Sequence, residues 1–327
     1  MDTITTITTT HTTKRRKEDE MKKDLLSIRD LTREEFMEII ERGIERKRAL
    51  KEGREDKPLK GKVLAMIFEK PSLRTRVTFE VGMYQLGGYA VYLAPQDIKL
   101  GVRESVPDVA RNLSRWVDGI MARVFSHDTV VGLAENASVP VINGLCDLEH
   151  PCQILADFMT IYEHKKRFEG LTLAWVGDGN NVCHSLLLAS GLMGVNMRVA
   201  TPEGYEPKEE IVKVAKEYAE RSGAEIEILH SPQDAVKDAD IIYTDVWASM
   251  GQESEAEKRK RIFMNYQVNP ELVKLAKPDY IFMHCLPAHR GEEVTDEVLD
   301  GPNSVVLDEA ENRLHAQKAL LVKLMSR

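Results

Sequence analysis

The chain has 327 residues, 43% hydrophobic and 30% charged, the make-up of about two globular domains and not of a disordered chain. Lys plus Arg total 45 against 53 Asp plus Glu, a net charge of −8; nucleic-acid binders carry a basic surface, so that class is disfavoured. No apolar run reaches the roughly 18 residues that span a bilayer, which argues against a membrane protein. The four cysteines, Cys146, Cys152, Cys183 and Cys285, show no C-x-x-C pair and no zinc-like spacing. With no secretory signal, they read as free thiols in a reducing compartment, the cytoplasm.

Residues 1–20 look like a leader or tag and not like part of the fold. Eight threonines fall within residues 1–13, and residues 14–20 are a run of charges; neither has a core-facing period. A vector-derived leader or a misassigned start accounts for them. Asp2, Glu18, Asp19 and Glu20 weaken an organelle presequence, which is poor in acids.

From Met21 onward strand and helix patterns alternate. Residues 62–68 (KVLAMIF) read as a buried strand, followed by a helix over 74–86 that Gly87-Gly88 ends. Strands are expected at 89–93, 119–125 and 139–143, with helices near 104–117 and 130–137. A long helix over about 153–164 leads to a polar turn at 165–170. The alternation then restarts, with strands at 171–176, 197–200, 225–229, 241–244, 281–284 and 305–307, and a final helix over 311–325. Repeated βα units predict an α/β protein of two domains, each a parallel sheet flanked by helices. The expected boundaries are 21–155 for the first domain and 156–327 for the second with the last helix.

Five places in this frame can carry chemistry. Lys70-Pro71-Ser72-Leu73-Arg74-Thr75-Arg76 follows a strand and opens a helix; Ser72 is a good N-cap, and the first-turn N–H groups suit an anion. Arg74 can add a bidentate phosphate contact. Arg76 is two positions on, about 200° around the helix, so it is assigned to a structural ion pair. Glu149-His150-Pro151-Cys152-Gln153 places Pro151 at a first helical position and His150 before it. Val176-Gly177-Asp178-Gly179-Asn180-Asn181-Val182 tempts a dinucleotide reading, but G-x-G-x-x-G needs Gly where Val182 stands. What survives is a helix start where the Asn181 amide can bind a carboxylate. Asp245-Val246-Trp247-Ala248-Ser249-Met250-Gly251 and His284-Cys285-Leu286-Pro287 each follow a strand, where ligands bind in open α/β sheets. Asp245 can hold an ammonium group; no partner pattern marks Cys285 as a nucleophile.

Taken together and in this order, the motifs resemble the aspartate/ornithine carbamoyltransferase family, and within it the ornithine branch, over essentially the whole chain from Asp24 onward. The resemblance implies an N-terminal domain for carbamoyl phosphate, a C-terminal domain for the acceptor amino acid, and a last helix that returns to the first domain. It implies a homotrimer or a multiple of trimers, with no cofactor and no metal. Ser72, Arg74 and Thr75 would bind phosphate. Arg123, His150 and Gln153 would hold the carbamoyl group, Cys285 and Leu286 would sit at the reacting end, and Arg313 would complete the site. Arg74, Arg123, His150 and Cys285 would be the catalytic set, while Asn181, Asp245, Ser249 and Met250 would grip L-ornithine. The implied products are L-citrulline and phosphate, in arginine metabolism.

Two departures from the family pattern stand out. Leu73 replaces the usual Thr, which is harmless if only its N–H contributes. Lys99 stands where many relatives have Gln, and the resemblance places its loop at a neighbouring subunit's phosphate. Putrescine carbamoyltransferase shares H-C-L-P; its diamine lacks an α-carboxylate, so Asp245 with Ser249-Met250-Gly251 favours ornithine.

Overall fold

The computed structural model describes residues 23–54, 56–248 and 253–326; the leader expected at residues 1–20 lies outside them. Among the described residues nine strands form two all-parallel sheets. The first contains β1 (Val63–Phe68), β2 (Tyr89–Leu93), β3 (Gly119–Arg123) and β4 (Val141–Leu145), in the order β2-β1-β3-β4. The second contains β5 (Thr172–Val176), β6 (Asn196–Ala200), β7 (Ile226–Leu229), β8 (Ile241–Thr244) and β9 (Ile281–His284), in the order β7-β6-β5-β8-β9. β1, β3, β5 and β8 are buried along almost their whole length, as parallel strands covered on both faces must be.

Both sheets switch winding direction in mid-sheet, β1 against β3 and β5 against β8. Loops after the carboxyl ends of such strands diverge and leave a crevice. The described residues of all five chemistry-bearing segments follow the carboxyl ends of strands, those of β1, β4, β5, β8 and β9.

Two helices tie the halves together. The connecting helix Pro151–Lys165 is buried continuously from Pro151 to Ile161. The return helix Val306–Met325 packs on it, on the first helix Arg33–Lys51 and on the motif helix Leu73–Gln85. The first helix can come this close because residue 43 is glycine: a Cβ there would stand 2.9 Å from Met159 Sδ and 3.5 Å from the Ala316 backbone. Lys47, nearly buried, fastens the crossing, with Nζ 2.9 Å from Glu163 Oε2 and 2.8 Å from Asn312 Oδ1.

One expected element is corrected. Residues 305–307 are not a strand. Val305 N–H donates to Phe282 O, and Phe282 N–H to Asn303 O, giving a single bridge at the edge of β9. The return helix then begins at Val306, five residues earlier than the pattern suggested. Val305 and Val306 read as strand because both are β-branched, but Asp308 and Glu309 in the next turn stabilise a helix start.

Candidate active site

The switch points of the two sheets face each other across a cleft of about 580 Å³. Lys70, Ser72, Arg74, Thr75, Arg123, His150, Gln153 and Arg313 line one wall; Asn181, Val182, Asp245, Cys285 and Leu286 line the other. Thus eleven of the fourteen site residues assigned from the sequence converge. Lys99 does not: it sits on an exposed left-handed turn after β2. Ser249 and Met250 lie outside the described residues.

The first wall is built for anions. Ser72 caps the motif helix, accepting from Thr75 N–H at 3.2 Å, so the first turn points its remaining N–H groups at the cleft. Thr75 Oγ1 accepts from Arg313 at 3.1 Å and from Arg123 at 3.5 Å, which leaves its own proton for a ligand. Arg123 ends β3, is 6% exposed, and has a buried Nε with no partner among the described residues. Arg313 is 2% exposed and donates to Gln317 Oε1 (3.0 Å), Gln153 Oε1 (2.6 Å) and Thr75, all neutral.

Among the described residues none of Lys70, Arg74, Arg123 and Arg313 forms an ion pair. The titration of Arg123 and Lys70 reflects it. Burial, then repulsion from Arg313 and Arg74, presses Arg123 down to about 9. Burial and Arg123 likewise lower Lys70, whose ammonium rests over the Phe125 ring. Buried cations without carboxylates are expensive; a bound dianion would relieve all four.

His150 carries no charge here. Burial and the cations Arg313, Arg123 and Arg74 hold its pKa well below 6.5. Its backbone N–H donates to Ser185 Oγ (2.9 Å), which donates to Glu149 Oε2 (3.2 Å). Ser27 also bonds Glu149, so the loop that sets His150 is tied to the start of the fold. Ser185 and Ser27 have no motif to reveal them; they are found only by contact.

The opposite wall has the opposite sign. Asp245, at the end of β8 and 6% exposed, accepts from Asn180 Nδ2 (2.8 Å), Val246 N–H (2.8 Å) and Cys285 Sγ (3.1 Å). None of these partners is a cation. Burial first, then Asp245, raises the Cys285 pKa well above its ordinary value, so the group is a neutral thiol and a poor nucleophile. Asn181 donates to Cys146 O at 2.7 Å. The sequence singled out Asn181 for a ligand's carboxylate; its neighbour Asn180 holds the carboxylate of Asp245 and also caps the following helix.

Leu286 is held from three sides. Its N–H donates to His284 Nδ1 (2.9 Å), and His284 Nε2 faces Glu293 Oε1 (3.0 Å). Its carbonyl accepts from Arg74 across the cleft, and its φ is 58°. A left-handed leucine costs about 1–2 kcal/mol. The His284–Glu293 pair offsets it.

Glycines of the β5 loop serve packing, not a dinucleotide. A Cβ on Gly179 would stand 2.2 Å from Pro207 N and 2.6 Å from Tyr205 O. The chain's own backbone fills the place a pyrophosphate would take.

Comparison with known proteins agrees with this division of labour. Residues 23–163 match the family described as the carbamoyl-P binding domain of aspartate/ornithine carbamoyltransferase, and residues 169–324 its Asp/Orn binding domain. The ornithine carbamoyltransferase of Thermococcus kodakarensis is 62% identical over 303 residues, covering 93% of this chain and 96% of the relative. The solved structure from Pyrococcus furiosus superposes with a TM-score of 0.91 at 60% identity, covering 93% of this chain and 97% of that one. That from Giardia lamblia, at 34% identity, still reaches 0.85, covering 94% and 99%. With its two halves matched by the models of that family's two domains, this chain belongs to the aspartate/ornithine carbamoyltransferase family.

Proposed function

We propose that this protein transfers the carbamoyl group of carbamoyl phosphate to the terminal amine of L-ornithine, giving L-citrulline and phosphate. The observation that carries this reading is the polarity of the cleft: four unneutralised cations face one desolvated carboxylate. A dianionic donor and an acceptor bearing an α-ammonium satisfy both walls at once. Relatives of about 60% identity that carry the name ornithine carbamoyltransferase support the same substrates.

In this reading the first turn of the motif helix, with Ser72, Arg74 and Thr75, holds the phosphate. Arg123, His150 and Gln153 hold the carbamoyl group, with Cys285 and the Leu286 carbonyl beside it. Asp245 takes the ornithine α-ammonium; Asn181 takes the α-carboxylate together with Ser249 and Met250. Arg313 braces Thr75 and Gln153. The neutral terminal amine attacks the carbonyl carbon, a C–N bond forms, the C–O bond to phosphate breaks, and the proton the amine gives up goes to the departing phosphate. Carbamoyl phosphate already carries a good leaving group, so the protein's task is to align two reactants and stabilise the developing oxyanion. Arg74, Arg123 and neutral His150 can all donate to that oxygen. Purified protein given both substrates is expected to form citrulline. Carbamoylation of putrescine with comparable efficiency would move the assignment to a diamine enzyme.

Acidity of the acceptor sets the pH dependence. An amine like that of lysine has a reference pKa of roughly 10.4 and is almost wholly ammonium at pH 7. Arg74, Arg123 and desolvation disfavour a further positive charge beside them, so the site admits the neutral form. At subsaturating ornithine the rate should rise from pH 6 to above pH 8, approaching about tenfold per unit. His150 is already deprotonated throughout and adds no limb. Cys285→Ser should keep measurable activity, since the thiol stays protonated. A flat profile, or a turnover-competent carbamoyl–Cys285 adduct, would overturn direct attack.

A homotrimer, or a multiple of trimers, accounts for the outer face of the motif helix. Leu73 (73% exposed), Val77, Val81 and Tyr84 (79% exposed) form an apolar stripe on it, at spacings that share one face. Lys99, exposed and away from its own cleft, then reaches a neighbour's phosphate site. Light scattering is expected to give three chains or a multiple, and Val77→Asp with Tyr84→Asp to reduce the mass; a stable, fully active monomer would refute the assembly. A cytoplasmic location fits four free cysteines. No helix among the described residues is long and apolar enough to cross a membrane.

A further inference from the structure

Behind Gln153, away from the cleft, lies a cluster that the reaction as described does not use. Asp157 comes from the connecting helix, Glu309 from the return helix and Tyr243 from β8, so three elements of both halves meet there. Asp157 and Tyr243 are fully buried and Glu309 is 1% exposed. Gln153 Nε2 donates to Asp157 Oδ1 at 2.7 Å and to Glu309 Oε1 at 3.1 Å. The Tyr243 hydroxyl lies 3.1 Å from Asp157 Oδ2 and 3.0 Å from Glu309 Oε1. The second oxygen of Glu309 accepts the His284 N–H at 3.0 Å.

Counting protons decides the state of this cluster. A phenol has one hydrogen and can donate to only one of two carboxylates. The other contact holds only if a carboxyl O–H donates to the phenol oxygen. One proton must therefore reside on the Asp157–Glu309 pair, whichever oxygen carries it. Burial pushes both acids up, Asp157 to about 7 and Glu309 well above the carboxylate range. Charged or titratable groups facing the pair are Arg313 on the return helix, Tyr243 on β8, and Cys285 after β9.

The cluster has a consequence for Gln153. Both of its amide hydrogens are spent on the acid pair, so its carbonyl must face the cleft, where Arg313 meets it at 2.6 Å. With the amide reversed, NH₂ would oppose a guanidinium and the carbonyl would oppose carboxylates. We infer that Asp157 and Glu309, sharing one proton through Tyr243, are positioning residues that fix Gln153 with its acceptor toward the cleft. A donor-bearing carbamoyl NH₂ is thereby preferred over a methyl of the same size. This inference rests on the carbamoyl phosphate reading given above.

The test compares carbamoyl phosphate with acetyl phosphate, which presents CH₃ in place of NH₂, and uses inorganic phosphate as a control for the anion wall. The wild type should favour carbamoyl phosphate by roughly tenfold or more, the scale of one buried donor left unpaired. No preference in the wild type would strike the substrate reading itself, before any variant is made. In Asp157→Asn/Glu309→Gln both acids are lost and only Arg313 still opposes a turned Gln153 amide. The preference should then collapse by about tenfold, with phosphate inhibition as strong as before or stronger. One of the two single amide variants should be clearly milder than the double, because its N–H replaces the shared O–H. Infrared spectra of the wild type should show a protonated-carboxyl band that the double variant lacks. Should the double variant fail to fold, Tyr243→Phe removes only the bridging hydroxyl and should lower the same preference. A folded double variant with wild-type preference, two singles as damaging as the double, Tyr243→Phe with unchanged preference, or no difference in the carboxyl band would each overturn the inference.

Discussion

Arg74→Ala is expected to lower kcat/KM for carbamoyl phosphate by about 10²–10³, the loss that follows removal of one charged or polar donor aimed at a transition-state oxygen, roughly 3–4 kcal/mol. Arg74 starts the motif helix, lines the cleft and reaches across it to the Leu286 carbonyl. It therefore touches both the phosphate wall and the reacting end. Its deletion removes one of four cations, and the other three cannot cover its position because Thr75 and Gln153 already hold Arg313. Arg76→Ala is the matched control. Arg76 points away, pairing with Glu80 at 3.1 Å and stacking over the Tyr92 ring at 3.7 Å. An exposed ion pair and an exposed cation–π contact are each worth about 0.2–1 kcal/mol. That variant should lose a little melting temperature and keep its rate. Steady-state kinetics and thermal melts on both decide it: equal catalytic losses with unchanged melting temperatures would contradict the division.

Asp245→Asn is expected to raise KM for ornithine by roughly 10–10², since a hydrogen bond to a charged group contributes about 1.5–3 kcal/mol. The carboxylate is buried and braced by Asn180, Val246 and Cys285, all neutral, so its charge is unspent until an ammonium arrives. Putrescine has no α-amine to offer, and binding it leaves that carboxylate unpaired. Wild-type protein should therefore prefer ornithine to putrescine by well over an order of magnitude, and Asp245→Asn should narrow the gap from the ornithine side. If KM for ornithine is unchanged in the variant, Asp245 is not the ammonium's partner.

Much of this site was readable because open parallel sheets put their chemistry at strand ends, and a strand end is a local feature of sequence. Ser72, His150, Asp245 and Cys285 each stand directly after an apolar run or before a helix-starting residue. What stayed hidden was long-range. Asp157 and Glu309 are separated by the whole second sheet, and no spacing rule links them; each reads as one more acid on an amphipathic helix. Asn180 and Asn181 illustrate a finer limit. Both are amides at one helix start, and only the backbone angle at the cap decides that Asn180 turns to Asp245 while Asn181 turns to Cys146. Residues 305–307 failed for the converse reason, their β-branched pair outweighing the acids of the next turn.

The return helix has a consequence for biosynthesis. It is made after both sheets, yet it covers Gly43 and Gly82 on the first domain and Met159 on the connecting helix, and it delivers Arg313 to the phosphate wall. Domains generally fold in order of synthesis. Here the first domain must wait, with an apolar trough open along its first helix and motif helix, until the helix that follows the second sheet has emerged. A nascent chain can thus hold both sheets and still lack an anion pocket. Loss of even the final few turns, by a premature stop or a clipping protease, would leave a body whose secondary structure is nearly intact and whose donor site never closes.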